Sequence, residues 1–328
     1  MAQKIIMILG PTACGKTKFG VSLTARLNGE IISADSRQVY RGLDIGTGKD
    51  LSEYTLPDGT VLPFHLIDCV DPDREYSLAD FLTDASRAID DISERGKVPV
   101  IVGGTALYLH GLLSSYQLRG GAPDSEKRAE LRNMNTEQLR NLLIRLNPDS
   151  IIPAKEPENR IRLIRAIELA QGGDTLHAKE PVLPTDRKYL IFGVYRTRED
   201  VRSRIEMRLR QRIEEENMLD ESIRLHNEGM SWERMEFLGL EYRYMALYQQ
   251  GKISYDEMFQ SLLNKIRQFA KRQDSWFRKM ENDGFPIYWI PPEETDRAVT
   301  MAKQFLAGET LPPPVIRLTG IKYGRSSD

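Results

Sequence analysis

Short, almost wholly apolar runs at residues 4–10, 30–34, 64–70 and 98–102 alternate with stretches rich in Ala, Leu, Asp and Arg. Such runs read as strands buried on both faces, and the stretches between them, with apolar residues at helical spacing, read as helices. The alternation predicts right-handed crossovers and a parallel sheet covered by helices, an α/β fold that extends to about Leu113. Residues 114–187 break the pattern with Gly120-Gly121, several prolines and dense Arg and Glu, which predicts a small helical insertion domain. The run 189–195 predicts a strand that returns to the first sheet. From Arg196 to about Lys279, Leu, Ile and Met recur at helical spacing, and Phe269, Trp276 and Phe277 fit the same apolar stripe and are expected in the core. Residues 311–328 open on Pro312-Pro313-Pro314, turn polar and are expected to hang loosely on the surface. The expected organisation is a core of 1–113 with 188–310, an insertion at 114–187 and a loose tail at 311–328.

The first strand leads into Gly10-Pro11-Thr12-Ala13-Cys14-Gly15-Lys16-Thr17, which fits the phosphate-loop pattern G-x-x-x-x-G-K-[ST], and Phe19, Leu23 and Leu27 continue it as a helix. Strand, loop and helix together are the context the pattern requires. Glycine lets the backbone curl until its N–H groups and a helix N-terminus face phosphate oxygens, Lys16 adds a compact positive charge, and the Thr17 hydroxyl suits a Mg²⁺ shared with the phosphates. An oligophosphate ligand is therefore expected at the head of the chain.

Composition narrows the class. The 328 residues, 40% hydrophobic and 29% charged, allow about two globular domains. No apolar run approaches the roughly 20 residues that span a bilayer, and Met1-Ala2-Gln3-Lys4 leads straight into the first strand, so a cytoplasmic protein without membrane contact, a monomer, is expected. Cys14 and Cys69 are too few for a metal cage and read as thiols, while His65, His110, His177 and His226 are scattered, which argues against a zinc site. The net charge of −2 excludes a uniformly basic surface and leaves local basic faces open.

Candidate chemistry gathers where parallel sheets collect ligands, at the carboxyl ends of the strands. Asp35 ends the second strand; its carboxylate can accept a proton from a substrate amine or hydroxyl, or cap the turn through Arg37 and Gln38, and spacing alone weights the two equally. Gly103-Gly104-Thr105 ends another strand without the acidic residue that many nucleoside-triphosphate hydrolases place there; the glycines permit close approach of a ligand or make a simple turn. Basic residues recur at 159–165, at Arg204, Arg208 and Arg212 on one helical face, and at Lys271-Arg272. Each reads as a solvated face by itself; together with the loop they favour a nucleic-acid or multi-phosphate ligand.

In combination, these residues resemble the tRNA dimethylallyltransferase family from about Lys4 to Arg278. The matching pieces are the phosphate loop; Glu30 to Ser36 with Tyr40 to Thr47; His65-Leu66-Ile67-Asp68; Tyr76-Ser77 with Asp80-Phe81; Val102 to Thr105 with Leu107-Tyr108; Asn159 with Arg162 and Arg165 to Glu168; and Ala270-Lys271-Arg272-Gln273 with Trp276. The resemblance implies a phosphate-loop fold of the NTPase type and transfer of a dimethylallyl group from dimethylallyl diphosphate to the exocyclic amine of the adenine 3′ of the anticodon. It implies that Gly10, Thr12, Ala13, Cys14, Gly15, Lys16 and Thr17, with Arg204 and Arg208, hold the diphosphate. It further implies that Lys16 and Arg208 stabilise the leaving group, that Mg²⁺ sits at Thr17, and that Asp35 takes the amine proton while Thr105 orients it. The same resemblance assigns the tRNA anticodon stem-loop to Asp35, Ser36, Arg37, Gln38, Thr105, Arg162, Arg165, Lys271 and Arg272.

The chain departs from the family pattern at Cys14 for Ser, Ala106 for Gly, Ile161 for Gln and Glu241 for Gly, and its insertion is shorter. Prenyl transfer to a free adenine nucleotide is the second reading, since it shares the loop and the aspartate but would hardly need the insertion or Lys271-Arg272. A small-molecule kinase and a nucleic-acid-binding NTPase follow; the first would consume ATP, and the second lacks its acidic residue at Gly103.

Overall fold

The computed structural model describes residues 2–114, 125–147, 159–172 and 186–321. The chain divides into two compact units, Met1–Leu113 with Pro184–Asp328, and Ser114–Leu183.

The first unit is built on one parallel sheet with strands β1 (Gln3–Leu9), β2 (Gly29–Ser33), β3 (Phe64–His65), β4 (Val98–Gly103), β5 (Arg187–Val194) and β6 (Ile287–Ile290), in the order β3-β2-β4-β1-β5-β6. β1 lies centrally, Ile6 opposite Val100 of β4 and Leu190 of β5. Because a strand sends successive side chains to opposite faces, Ile5, Met7 and Leu9 enter one core and Ile6 and Ile8 another. The first core is closed by α2 (Leu78–Glu94), α3 (Ala106–Leu113) and the end of a long helix; the second by α1 (Lys16–Ala25) and a C-terminal helix, α12 (Thr295–Ala307). Ser77 and Asp80 start α2 with a reciprocal capping box.

In the second unit, α4 (Ser125–Asn133), α5 (Thr136–Leu146) and α6 (Arg160–Gln171) form a small helical body around Leu131, Leu139, Leu143, Leu163 and Ile167. Back in the first unit, α7 (Arg198–Glu214), α8 (Met218–Asn227), α9 (Trp232–Leu238) and α10 (Leu240–Gln249) pack with α11 (Tyr255–Asn282) around a third core. The 28 residues of α11, about 42 Å long, join two layers: Met258, Leu262 and Ile266 pack among the helices, Phe277 and Met280 under the sheet.

Three expectations change. The run 64–70 forms a strand only over Phe64–His65, with Val70 in an isolated bridge to Tyr40, because Leu66 and Asp68 take left-handed backbone angles (φ 61° and 52°) that end a strand. β6 is an additional strand, Ile-Tyr-Trp-Ile between Pro286 and Pro291. The tail, otherwise mostly exposed over its described residues, is anchored at one point: Leu318 is fully buried, and its N–H donates to the Glu281 carboxylate (3.1 Å), which also accepts from Trp289 Nε1 (2.8 Å). A leucine with an apolar seat and a partner for its amide stays there although the sequence around it is polar. Residues 322–328 lie outside the described part.

Candidate active site

The turn from β1 into α1 is a cradle for an anion. Gly10, Ala13 and Gly15 have φ of 157°, 62° and 92°, and left-handed Ala13 costs about 1 kcal/mol, a strain that loops gripping ligands commonly carry. Gly10 is also forced by space, since a Cβ there would lie 2.5 Å from the Val194 carbonyl oxygen. No side chain caps the N-terminus of α1, so its first N–H groups and the positive end of its dipole are open to a ligand. Lys16 Nζ reaches the Pro11 carbonyl (3.3 Å), and the Thr17 hydroxyl makes no hydrogen bond among the described residues. Cys14 contributes backbone only; its side chain is fully buried, and burial pushes its thiol pKa up. Thr12 is likewise spoken for on the main chain, its N–H donating to Gln273 Oε1 (2.8 Å).

Gln273, one of the matching residues, is given no role by the sequence. Nine-tenths buried in the middle of α11, it accepts from Thr12 and donates to the Gly104 carbonyl (2.8 Å), bridging the phosphate loop to the end of β4. Gly104 has to be glycine for this, as a Cβ would stand 2.5 Å from Gln273 Nε2; at Gly103 it would stand 2.2 Å from the Ala34 carbonyl oxygen. The glycine pair thus lets two strand ends and a glutamine close on one another.

Asp35 caps the turn that follows β2. Its Oδ1 accepts from the N–H groups of Arg37 (2.9 Å) and Gln38 (3.4 Å), and its other oxygen has no protein partner among the described residues. Thr105 accepts from the Ser36 N–H (3.0 Å) and keeps this corner in place. Asp35, Thr105, Lys16, Thr17 and Thr12 line one cavity of about 510 Å³, with Ser36, Arg37, Arg272, Tyr244 and Phe269 along its wall. Phe269 is therefore a cavity residue and only Phe277 and Trp276 are core, the former fully buried.

Other residues disperse. Gln38 commits its amide to Ser33 (3.2 Å) and the Gly48 carbonyl (3.0 Å), and Lys271 lies by a separate small cavity beside Pro11. Arg204 lines a second cavity, of about 610 Å³, that borders Lys18 on the far side of Ala13, whereas Arg208 and Arg212 line both. Burial, and next the neighbouring Arg212, lower the pKa of Arg208. Arg162 and Arg165 belong to the helical unit, the first exposed at the start of α6 and the second paired with Glu168 (3.1 Å). The Ile161 side chain lies outside the described residues. Glu241 faces the Asp35 cavity, where burial raises its carboxyl pKa.

The segment that walls this cavity is held by buried charge. The Glu221 carboxylate accepts from the N–H groups of Asp44 (2.9 Å), Ile45 (2.8 Å) and Gly46 (3.0 Å) and from the Tyr242 hydroxyl (2.7 Å). Lys49, 1% exposed, donates to the Tyr40 carbonyl (2.7 Å), to Asp44 (2.6 Å) and to Asp68.

A family model described as IPP transferase matches residues 38–280, and one described as isopentenyl transferase matches residues 3–56. The chain belongs to the tRNA dimethylallyltransferase family. It is 44% identical to tRNA dimethylallyltransferase 1 of Syntrophus aciditrophicus over 90% of this chain and 95% of that one, and 46% identical to tRNA dimethylallyltransferase 2 of Treponema denticola over 87% and 95%. The tRNA isopentenylpyrophosphate transferase of Bacillus halodurans superposes with a TM-score of 0.66 at 33% identity, covering 93% of this chain and 96% of that one. A eukaryotic dimethylallyltransferase caught acting on tRNA superposes at 0.75 and 25% identity, covering 94% and 81%. Within this dimethylallyltransferase the sheet, the phosphate loop and the strand-end aspartate form one continuous site in the first unit. Among the described residues no helix is long and apolar enough to cross a membrane.

Proposed function

We propose that the chain transfers a dimethylallyl group from dimethylallyl diphosphate to the N6 amine of the adenine 3′ of the anticodon in tRNA, in the cytoplasm. The observation that carries this reading is the shared cavity: an uncapped helix N-terminus with Lys16 on one side, the free oxygen of Asp35 on the other. As the amine nitrogen attacks the allylic carbon, the C–O bond breaks, the electron pair leaves with the diphosphate and the amine proton passes to Asp35. Backbone N–H groups of the loop, Lys16 and Arg208 then stabilise charge that grows on the leaving group, where fixed donors count most. Thr105 holds Ser36 and the Asp35 corner, and so orients the base.

The free Thr17 hydroxyl beside Lys16 fits a Mg²⁺, which binds through few protein groups and mainly through substrate phosphates; no cluster of His, Cys, Asp or Glu among the described residues offers an all-protein cage. When bound, the ion neutralises diphosphate charge. The target base has to leave its stack to enter the cavity, which costs less in a loop than in a duplex. Arg37 and Arg272 on the wall suit phosphates, and Phe269 and Tyr244 offer stacking faces. Gln38, with both ends of its amide engaged, acts through the loop it braces.

The test is Asp35→Asn with labelled donor. Turnover on tRNA is expected to fall at least about a hundredfold, as for loss of a general base, with tRNA affinity nearly unchanged. Equal losses in both would remove Asp35 from the chemistry, and label appearing on AMP in preference to RNA would move the acceptor to free nucleotide.

A further inference from the structure

Arg208 and Arg212 stand one turn apart on α7, and their guanidinium groups meet on a single carboxylate oxygen. Asp50 Oδ2 lies 2.5 Å from Nη2 of Arg208 and 3.4 Å from Nη2 of Arg212. The remaining N–H groups of both arginines have no partner among the described residues. Both side chains line the cavities on either side of Ala13, while Asp50 lines only the one that borders Lys18. Their placement is built into the backbone. Gly48, at φ 65°, makes room for Arg212, since a Cβ there would stand 2.1 Å from its Nη2. Asp50 itself sits in the left-handed region (φ 40°), next to Lys49, which is locked by three hydrogen bonds.

Two guanidinium groups at this spacing repel one another, and an anion between them makes the pair tenable. The next anion to arrive, a diphosphate in the loop, meets N–H groups already aimed and already shared. We infer that Asp50 is the internal counter-ion of a two-arginine diphosphate clamp, holding Arg208 and Arg212 beside the phosphate loop in the empty enzyme and yielding them to the diphosphate of donor and product. The inference rests on the proposed diphosphate reading of the loop and adds Arg212 to it. It also gives Asp50 a sign. A fixed negative charge sharing the clamp opposes the polyanion, so Asp50 weakens diphosphate binding and hastens product release, whereas Arg212 strengthens binding.

The experiment is calorimetric titration of the full chain with inorganic pyrophosphate and Mg²⁺, paired with steady-state turnover on tRNA. Asp50→Asn, which keeps size and one acceptor but removes the charge, is expected to tighten pyrophosphate about tenfold, with a matching rise in product inhibition. Arg212→Gln is expected to weaken pyrophosphate about tenfold and to shrink the effect of Asp50→Asn in the double variant; tRNA affinity stays put in each. Unchanged or weaker pyrophosphate binding in Asp50→Asn overturns the counter-ion role. Should that variant fail to fold, unaltered affinity in Arg212→Gln overturns the clamp. Lys16→Ala separates the two levels: binding that survives it sinks the loop reading, while binding that needs Lys16 but ignores Asp50 and Arg212 sinks only this inference.

Discussion

The Asp35 carboxylate is held by the backbone it follows, at the rim of the cavity that Lys16 and Thr105 also line. One oxygen caps the turn that follows β2, and the other has no protein partner among the described residues, so the cap fixes how the carboxylate is presented at the cavity it lines. Cys14 shows the converse, a residue inside the phosphate loop whose side chain never reaches the ligand side. Desolvation raises the thiol pKa of both cysteines, so access decides, and alkylation with iodoacetamide should label Cys69, which is exposed, and spare Cys14, which is fully buried. Intact mass should read one adduct in the native protein and two in guanidinium chloride. Two adducts in the native protein would mean that the loop opens to solvent far more than its packing allows.

At the scale of elements, α11 does more than fill space. Gln273 ties the phosphate loop to the end of β4 at two hydrogen bonds, both to buried or half-buried backbone groups. Gln273→Leu leaves each group short of a partner at about 1–3 kcal/mol apiece, so chemical denaturation should show a loss in that range or above, with donor KM up about tenfold and tRNA affinity little changed. A variant with wild-type donor KM would show that the bridge does not shape the loop. The sequence made β1, β2, β4 and β5 legible because each is a continuous apolar run between helical stretches. It concealed β6, four residues between prolines at the end of a long helical pattern, and it overextended β3, whose end is decided by backbone angles at Leu66 and Asp68. The loop and Asp35 could be read locally. Gln273 and Arg212 stood out in a motif and on a basic helical face, but what they hold could not be read, since their partners lie 261 and 162 residues away and no spacing rule connects them.

For the whole molecule, the C-terminal stretch carries weight that its composition hides. Leu318 closes the sheet core, and its amide is one of the donors that satisfy the buried Glu281 carboxylate. Deleting residues 311–328 removes an apolar plug and a hydrogen bond to charge together, and a loss of about 2–4 kcal/mol in urea unfolding is expected. Full stability in the shortened chain would restore the picture of an idle tail.

The Glu221 carboxylate has its own seat, three successive backbone N–H groups at Asp44, Ile45 and Gly46. Such concave rows of amides bind any suitable anion. This protein therefore owns two cradles of the same kind and has sealed one with a tethered acid. A roaming polyanion would have to evict a permanent resident at the first, whereas no side chain plugs the opening turn of α1 at the second, so occupancy alone would sort it to one address.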